Sequence, residues 1–98
     1  MYQKTRPNIS FIEFIQLAGP VVSFNSKEGN EYVVKKLENT TMHFVRTTTD
    51  KLWKMDLKLV HKAYLELKDF KTENFKPYVP LTHSPALGLL LNLKLLVG

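Results

Sequence analysis

Cysteine is absent from the 98-residue sequence, and glycine and arginine are scarce. Without cysteine the chain has no disulfide, no thiolate metal site and no cysteine nucleophile. The four glycines stand apart at positions 19, 29, 88 and 98, so there is no glycine-rich loop of the kind that binds phosphate or a dinucleotide. The two arginines, Arg6 and Arg46, are few for sequence-specific DNA reading, in which arginine–guanine contacts are the commonest.

Catalytic and metal-ligating residue types are present but scattered. The nine carboxylates show no spacing that indicates a shared acid–base site. Ser84 precedes proline without the glycines of a nucleophile elbow. His43, His61 and His83 have no recognised metal-ligand spacing. We therefore expect no enzymatic activity, no metal, no cofactor and no small-molecule substrate.

Length and composition indicate a single compact domain over residues 1–98. The hydrophobic fraction of 44% and the charged fraction of 23% are ordinary for a globular protein. The N-terminal segment MYQKTRPNIS lacks the apolar run of a secretory signal, which predicts a cytoplasmic location. The apolar C-terminal segment is shorter than the roughly 20 residues that a bilayer needs, so we expect no membrane contact.

The first part of the chain predicts a helix. Ser10 and Glu13 have the spacing of a capping box, in which each side chain accepts the backbone N–H of the other residue. Apolar residues then recur at helical spacing until Gly19-Pro20 ends the run. These are Phe11, Phe14, Ile15 and Ala18.

Three segments after this helix predict an antiparallel meander. Residues 21–24 and 32–37 are rich in β-branched and aromatic side chains. Gly29 lies between them in the sequence Glu-Gly-Asn, which suits a turn with positive φ. The run TTMHFVRTT at 40–48 predicts a third strand.

Residues 50–68, DKLWKMDLKLVHKAYLELK, fit two periodicities at once. The first half alternates apolar and polar residues as a strand does, and a helical stripe also runs from Trp53 through Tyr64. Asp56 is a favourable residue for starting a helix. The sequence therefore predicts a short strand over about 51–55 followed by a helix over about 57–68.

The last third of the chain predicts an extended connection and a very apolar helix. Residues 69–80 contain two prolines and read as a connection. Ser84-Pro85 is typical of an N-cap followed by proline in the first helical position. Leucines then surround most of the helix, so it is central in the core, or covered by a partner such as a second copy in a homodimer through Leu87, Leu90 and Leu91, or both.

The expected fold class is α+β, with a small antiparallel sheet of three to four strands, one N-terminal helix and two C-terminal helices. The predicted core is Phe11, Phe14, Ile15, Val22, Phe24, Val33, Leu37, Met42, Phe44, Trp53, Leu57, Val60, Tyr64, Leu67, Leu87, Leu90 and Leu91.

The net charge of +5 and the pI near 9.5 favour acidic partners. If residues 51–68 formed one helix, Lys51, Lys54, Lys58 and Lys62 would share one face of it. That face is the solvated side of an amphipathic segment or a phosphate-binding surface, and the lack of arginine in it favours the former. Further candidate contacts are Lys35, Lys36 and Arg46, beside Tyr32 or Phe44 as stacking rings. Aromatic residues on strands more often belong to the core, which favours a core role for both rings over stacking.

Two functions follow as hypotheses. The first is a non-catalytic module that binds nucleic acid with low specificity through these basic residues. The alternative is a protein-interaction or assembly subunit that uses the apolar C-terminal helix. The charge places nucleic acid slightly ahead.

Overall fold

A four-stranded antiparallel sheet with helices on one face forms the frame of the protein. The computed structural model describes residues 1–98. The elements in chain order are β1 (Gln3–Lys4), α1 (Phe11–Ala18), β2 (Ser23–Asn25), β3 (Glu31–Glu38), β4 (Thr41–Arg46), β5 (Leu52–Asp56), α2 (Leu57–Glu66), a 3-10 helix (Thr72–Phe75), α3 (His83–Asn92) and β6 (Leu96–Val97). The α+β class and the meander β2-β3-β4-β5 predicted from the sequence are confirmed.

The placement of the helices differs in part from the prediction because α1 is preceded by a strand. β1 pairs with β6 as a separate antiparallel ribbon, with Gln3 opposite Val97 and Lys4 opposite Leu96. The buried Tyr64 hydroxyl fixes this ribbon to α2, since it donates to the Leu95 carbonyl at 2.9 Å and accepts the Arg6 backbone N–H at 3.2 Å. Such short strands leave no periodic pattern in the sequence.

The start of α1 has the predicted capping box. Ser10 Oγ accepts the Glu13 N–H at 3.1 Å, and Glu13 Oε1 accepts the Ser10 N–H at 3.3 Å. Phe14 and Ala18 are buried, and the exposed Ile12 lies on the opposite side of the helix. The 3.6-residue period thus gives α1 one buried face.

The sheet buries one row of aromatic side chains against the helices. Phe24, Tyr32 and Phe44 lie on neighbouring strands with ring centroids 5.3–5.5 Å apart. A bulge between Val34 and Lys36 shifts the register of β3 against β4. Gly29, with φ of 94°, lies in the turn before β3, as the sequence predicts.

The change from strand to helix occurs where the sequence predicts it. β5 ends at Asp56, and α2 begins at Leu57. Asp56 Oδ1 accepts the Lys58 N–H at 2.9 Å, which satisfies one of the free donors of the first turn. α2 then buries Leu57, Val60, Ala63 and Tyr64.

The predicted cap of α3 is wrong. α3 begins at His83, one residue before Ser84, and the Thr82 carbonyl already accepts the Ala86 N–H. The Ser84 hydroxyl donates to Glu28 Oε2 at 3.1 Å instead of capping the helix. This contact between α3 and the turn before β3 joins residues distant in sequence, so no local pattern predicts it.

The core is one cluster of 21 buried residues, of which α3 contributes Leu87, Leu89 and Leu90 at 0% exposure. Most of the predicted core is buried or half-buried, but Val22 is 75% exposed. Val22 precedes β2, and no helix covers it. None of the helices is both long enough and apolar enough to span a membrane.

Candidate functional site

The seven basic residues predicted as a binding site lie on several elements. Because the chain changes from strand to helix at Asp56, Lys51 and Lys54 belong to the β5 region, whereas Lys58 and Lys62 form a separate pair one turn apart on α2. Lysines also stand elsewhere, at the ribbon, the turns and beside the 3-10 helix. These are Lys4, Lys27, Lys68, Lys71, Lys76 and Lys94.

Three of the predicted residues, Lys35, Lys36 and Lys54, lie near one another on the face of the sheet that the helices leave open, around the buried His43, which is 8% exposed and was not among the predicted site residues. Lys36, His43 and Lys54 are direct cross-strand neighbours on β3, β4 and β5, and Lys35 lies next to Lys36 at the bulge. Glu38 interrupts this row, because its carboxylate oxygens lie 3.4 Å from Lys36 Nζ and 4.0 Å from His43 Nε2. The charge of Lys36 is therefore partly balanced by the carboxylate of Glu38 on this face.

Arg46 is half-buried and the proposed stacking rings are buried. Arg46 Nη2 donates to Asn30 Oδ1 at 2.8 Å, and its Nε is buried. Tyr32 and Phe44 are 4% and 0% exposed, so both rings belong to the core, the role that the sequence favoured over stacking on bases. Burial raises the pKa of the Tyr32 hydroxyl, and the charge of Arg46 partly offsets that effect. The alternation of β3 and β4 turns both rings inward.

The C-terminal helix offers little surface to a partner. Leu87 and Leu90 are completely buried within the chain, and Leu91 is half-buried. α3 packs closely on β2 at Gly88, where a Cβ would come 2.4 Å from the Asn25 carbonyl oxygen. The leucines that surround this helix are covered by the protein's own sheet and connection.

The sequence reasoning missed an open strand edge. In the order β2-β3-β4-β5, β5 pairs only with β4 and is free on its other side. A groove follows this free edge between β5 and the connection before α3. We call it the β5 groove; it encloses about 490 Å³ and is lined by Lys51, Leu52, Trp53, Lys54, Pro80, Leu81 and His83.

Apolar side chains of the β5 groove are unusually exposed. Leu52 is 54% exposed and Leu81 is 77% exposed, on opposite sides of the groove. Trp53 is half-buried between them, and its indole N–H is buried without a hydrogen-bond partner. Two exposed leucines beside a tryptophan offer apolar anchors of the kind found at contact surfaces.

The ionisable groups that line the β5 groove are all basic. Lys51 Nζ lies over the Trp53 ring, 4.4 Å from its centroid, in a cation–π contact. Lys54 and His83 complete the set. With no carboxylate among the lining residues, the groove favours a negatively charged ligand.

Two hydrogen bonds hold the connection that forms the far wall. His83 Nδ1 lies 2.9 Å from the Pro80 carbonyl oxygen. The Tyr78 hydroxyl donates to Glu66 Oε1 at 2.8 Å, and this bond raises the pKa of Tyr78 because it favours the protonated phenol. The wall is thus attached to the end of α2.

The histidines lie on separate elements, and no group of three or more potential metal ligands comes together. His61 Nε2 lies 2.8 Å from the Ile9 carbonyl oxygen, and its ring packs beside Phe11 and Phe14 with centroids 5.5–5.6 Å away. This histidine therefore attaches α2 to the start of α1.

Comparisons with protein-family models, with curated proteins and with solved structures give no match to this chain. Its function is therefore inferred from its own surface.

Proposed function

We propose that the chain is a small non-catalytic binding module whose partner is another protein. The observation that carries this proposal is the β5 groove, where Leu52 and Leu81 are 54% and 77% exposed beside Trp53. Apolar side chains with an aromatic anchor and a charged rim are typical of protein contact surfaces. The lysines at the rim select a partner of opposite charge.

A non-catalytic role is supported by how the polar side chains are used. The Ser84 hydroxyl donates to Glu28, and the rings of His61 and His83 contact backbone carbonyl oxygens. The bonds of Ser84 and His61 join separate segments of the chain, and the bond of His83 closes a local turn with Pro80. Ser84, His61 and His83 are thus engaged in structural contacts instead of being free to act as a nucleophile or a general base.

The β5 groove replaces the C-terminal helix as the proposed contact surface. Leu87 and Leu90 are buried in the isolated chain, and a partner could reach them only if α3 left the core. Removing such a helix would expose a large part of the apolar cluster, at a cost comparable to the total stability of a small domain. A preformed groove requires no such rearrangement.

Selection of ligands from a random peptide library displayed on phage tests the proposal. We expect the wild-type protein to enrich peptides that bind with affinities in the micromolar range or better. The double substitution Leu52→Ser and Leu81→Ser should abolish that binding, because it removes the exposed apolar contacts. Both residues are largely exposed, so the variant should keep its fold and stability within about 0.5 kcal/mol.

Ile12→Ser is the matched control, since Ile12 is 72% exposed on α1, away from the groove. Peptides that bind wild type and the Ile12 variant equally, but not the groove variant, support the proposal. Failure to enrich any peptide, or enriched peptides that bind the groove variant as well as wild type, would contradict it.

A second function, low-specificity nucleic-acid binding, is favoured by the exposed Lys36 and Lys54 on the open face and by the net charge of +5. It ranks below protein binding because the Glu38 carboxylate lies beside Lys36 and the stacking rings are buried. Lysine contacts to phosphate would give binding that weakens steeply with salt.

Titration with single- and double-stranded oligonucleotides at low and high salt tests this second function. We expect salt-sensitive binding that falls in a Lys36→Glu, Lys54→Glu variant and persists in a Lys58→Glu, Lys62→Glu variant. Absence of binding at low salt would remove nucleic acid as a candidate.

A further inference from the structure

We infer that the ligand of the β5 groove is an extended, acidic polypeptide segment that pairs with β5 as an additional strand of the sheet. This inference rests on the proposed function and adds to it the backbone conformation and the side-chain chemistry of the partner.

The backbone of β5 presents unpaired groups to the groove. The Arg46 N–H donates to the Lys51 carbonyl oxygen and the Leu57 N–H to the Thr40 carbonyl oxygen, which fixes the phase of the hydrogen-bond ladder between β4 and β5. In an antiparallel ladder, hydrogen-bonded and non-hydrogen-bonded pairs alternate. Leu52 and Lys54 therefore direct their N–H and C=O groups away from β4.

Nothing else in the chain takes up these groups. No backbone hydrogen bond outside the regular elements involves Leu52 or Lys54, although Pro80 and Leu81 lie across the groove. An open edge of this kind is the template on which peptides add as strands. The wall forms no backbone hydrogen bond with Leu52 or Lys54, so it does not complete the sheet.

The side chains along the edge determine what the added strand should contain. Lys51, Leu52, Trp53 and Lys54 follow each other, so the order is basic, apolar, apolar, basic. Cross-strand pairs of opposite charge and of apolar residues stabilise a sheet. The complementary segment has the order acidic, apolar, apolar, acidic. This order reads the same in both directions, so it suits either a parallel or an antiparallel strand.

A second copy of this chain does not fit the same edge. Pairing of two β5 strands would bring Lys51 and Lys54 of one copy close to the same lysines of the other. Like charges across a strand pair are destabilising, and each copy carries a net charge of +5. Lys51 and Lys54 thus disfavour self-association at the β5 edge and favour pairing with an acidic strand.

A capped peptide with Glu-Val-Val-Glu at its centre is the probe, and its matched control has Lys-Val-Val-Lys in the same flanking sequence. We expect the acidic peptide to bind the protein, by fluorescence anisotropy at low salt, at least about tenfold more tightly than the basic one. The Lys51→Glu, Lys54→Glu variant should reverse the preference. Equal binding of the two peptides, or no binding of the acidic one, would overturn the inference.

Backbone N-methylation tests whether the bound peptide is a strand. Successive residues of a strand direct their N–H groups to opposite sides, so methylation of one valine should weaken binding about tenfold or more and methylation of its neighbour should have little effect. Leu52→Pro should have the same weakening effect on the protein side, because it removes an outward N–H at an edge position that tolerates proline. Circular dichroism checks that this variant folds.

The outcomes separate this inference from the proposed function. Suppose that peptides bind, that Leu81→Ser abolishes their binding, and that neither N-methylated valine weakens it. The groove is then a protein-binding site, and the inference of strand pairing is wrong. If no peptide depends on the groove, the proposed function itself fails. Dimerisation in sedimentation that Leu52→Pro abolishes would assign the edge to a second copy and overturn the acidic partner.

Discussion

The backbone of Asn25 lies directly against Gly88, so that a Cβ at position 88 would come 2.4 Å from the Asn25 carbonyl oxygen. This close approach of α3 to β2 sets the position of the helix whose leucines fill the core. The atoms nearest to this Cβ position belong to the backbone of Asn25 and Ser26. A larger residue at position 88 would therefore have to displace the strand itself.

Gly88→Ala should therefore destabilise the protein although alanine is the better helix former. The expected loss is about 1–3 kcal/mol, typical of an overpacked core position. Urea unfolding followed by tryptophan fluorescence or circular dichroism measures it. Gly98→Ala is the control, since no atom lies within 4 Å of an added Cβ there. If the Gly88→Ala protein were as stable as wild type, α3 would have to lie farther from the β2 backbone than this contact requires.

The capping box of α1 predicts a pH dependence of stability. Hydrogen bonds from the Ser10 backbone and hydroxyl, followed by the contact with Arg6, lower the pKa of Glu13 below its usual 4.5. A carboxyl whose pKa is lower in the folded state stabilises it above the unfolded-state pKa, and this contribution disappears as the pH falls through the folded-state value. We expect Glu13→Gln to be less stable than wild type at neutral pH and equally stable in strong acid.

Ser10→Ala should act in the same direction and cost about 0.5–2 kcal/mol at neutral pH, the usual range for loss of an N-cap. Glu73→Gln is the control for the acid effect, because Glu73 is exposed and forms no ion pair in the structure. The free energies of unfolding of wild type and the three variants, measured at neutral and acidic pH, test these predictions. A Glu13→Gln deficit that does not shrink in acid would contradict the account.

The sequence predicted the elements whose boundaries are set by neighbouring residues. The capping box at Ser10 and the N-cap at Asp56 involve hydrogen bonds within three residues, so their spacing alone identifies them. The positive φ at Gly29 is a local requirement too. By contrast, the ribbon of β1 and β6 and the contact of Ser84 with Glu28 join distant parts of the chain. No local pattern encodes them.

The β5 groove also depends on contacts between distant parts of the chain. The sequence predicted a short strand around Trp53 but could not show that it lies at an edge, because edge position follows from the order of strands in the sheet. The sequence also predicted only an extended connection at Pro80, whereas Pro80 and Leu81 form the wall of the β5 groove. Of the predicted basic residues, the groove uses Lys51 and Lys54.

Amide hydrogen exchange of β5, measured by NMR, tests the central claim most directly. In the free protein Leu52 and Lys54 should exchange fast while Trp53 and Met55, whose N–H groups face β4, exchange slowly. Saturation with the Glu-Val-Val-Glu peptide should slow the exchange at Leu52 and Lys54. Protection of these two amides in the free monomer, or continued fast exchange with the peptide bound, would contradict strand pairing at this edge.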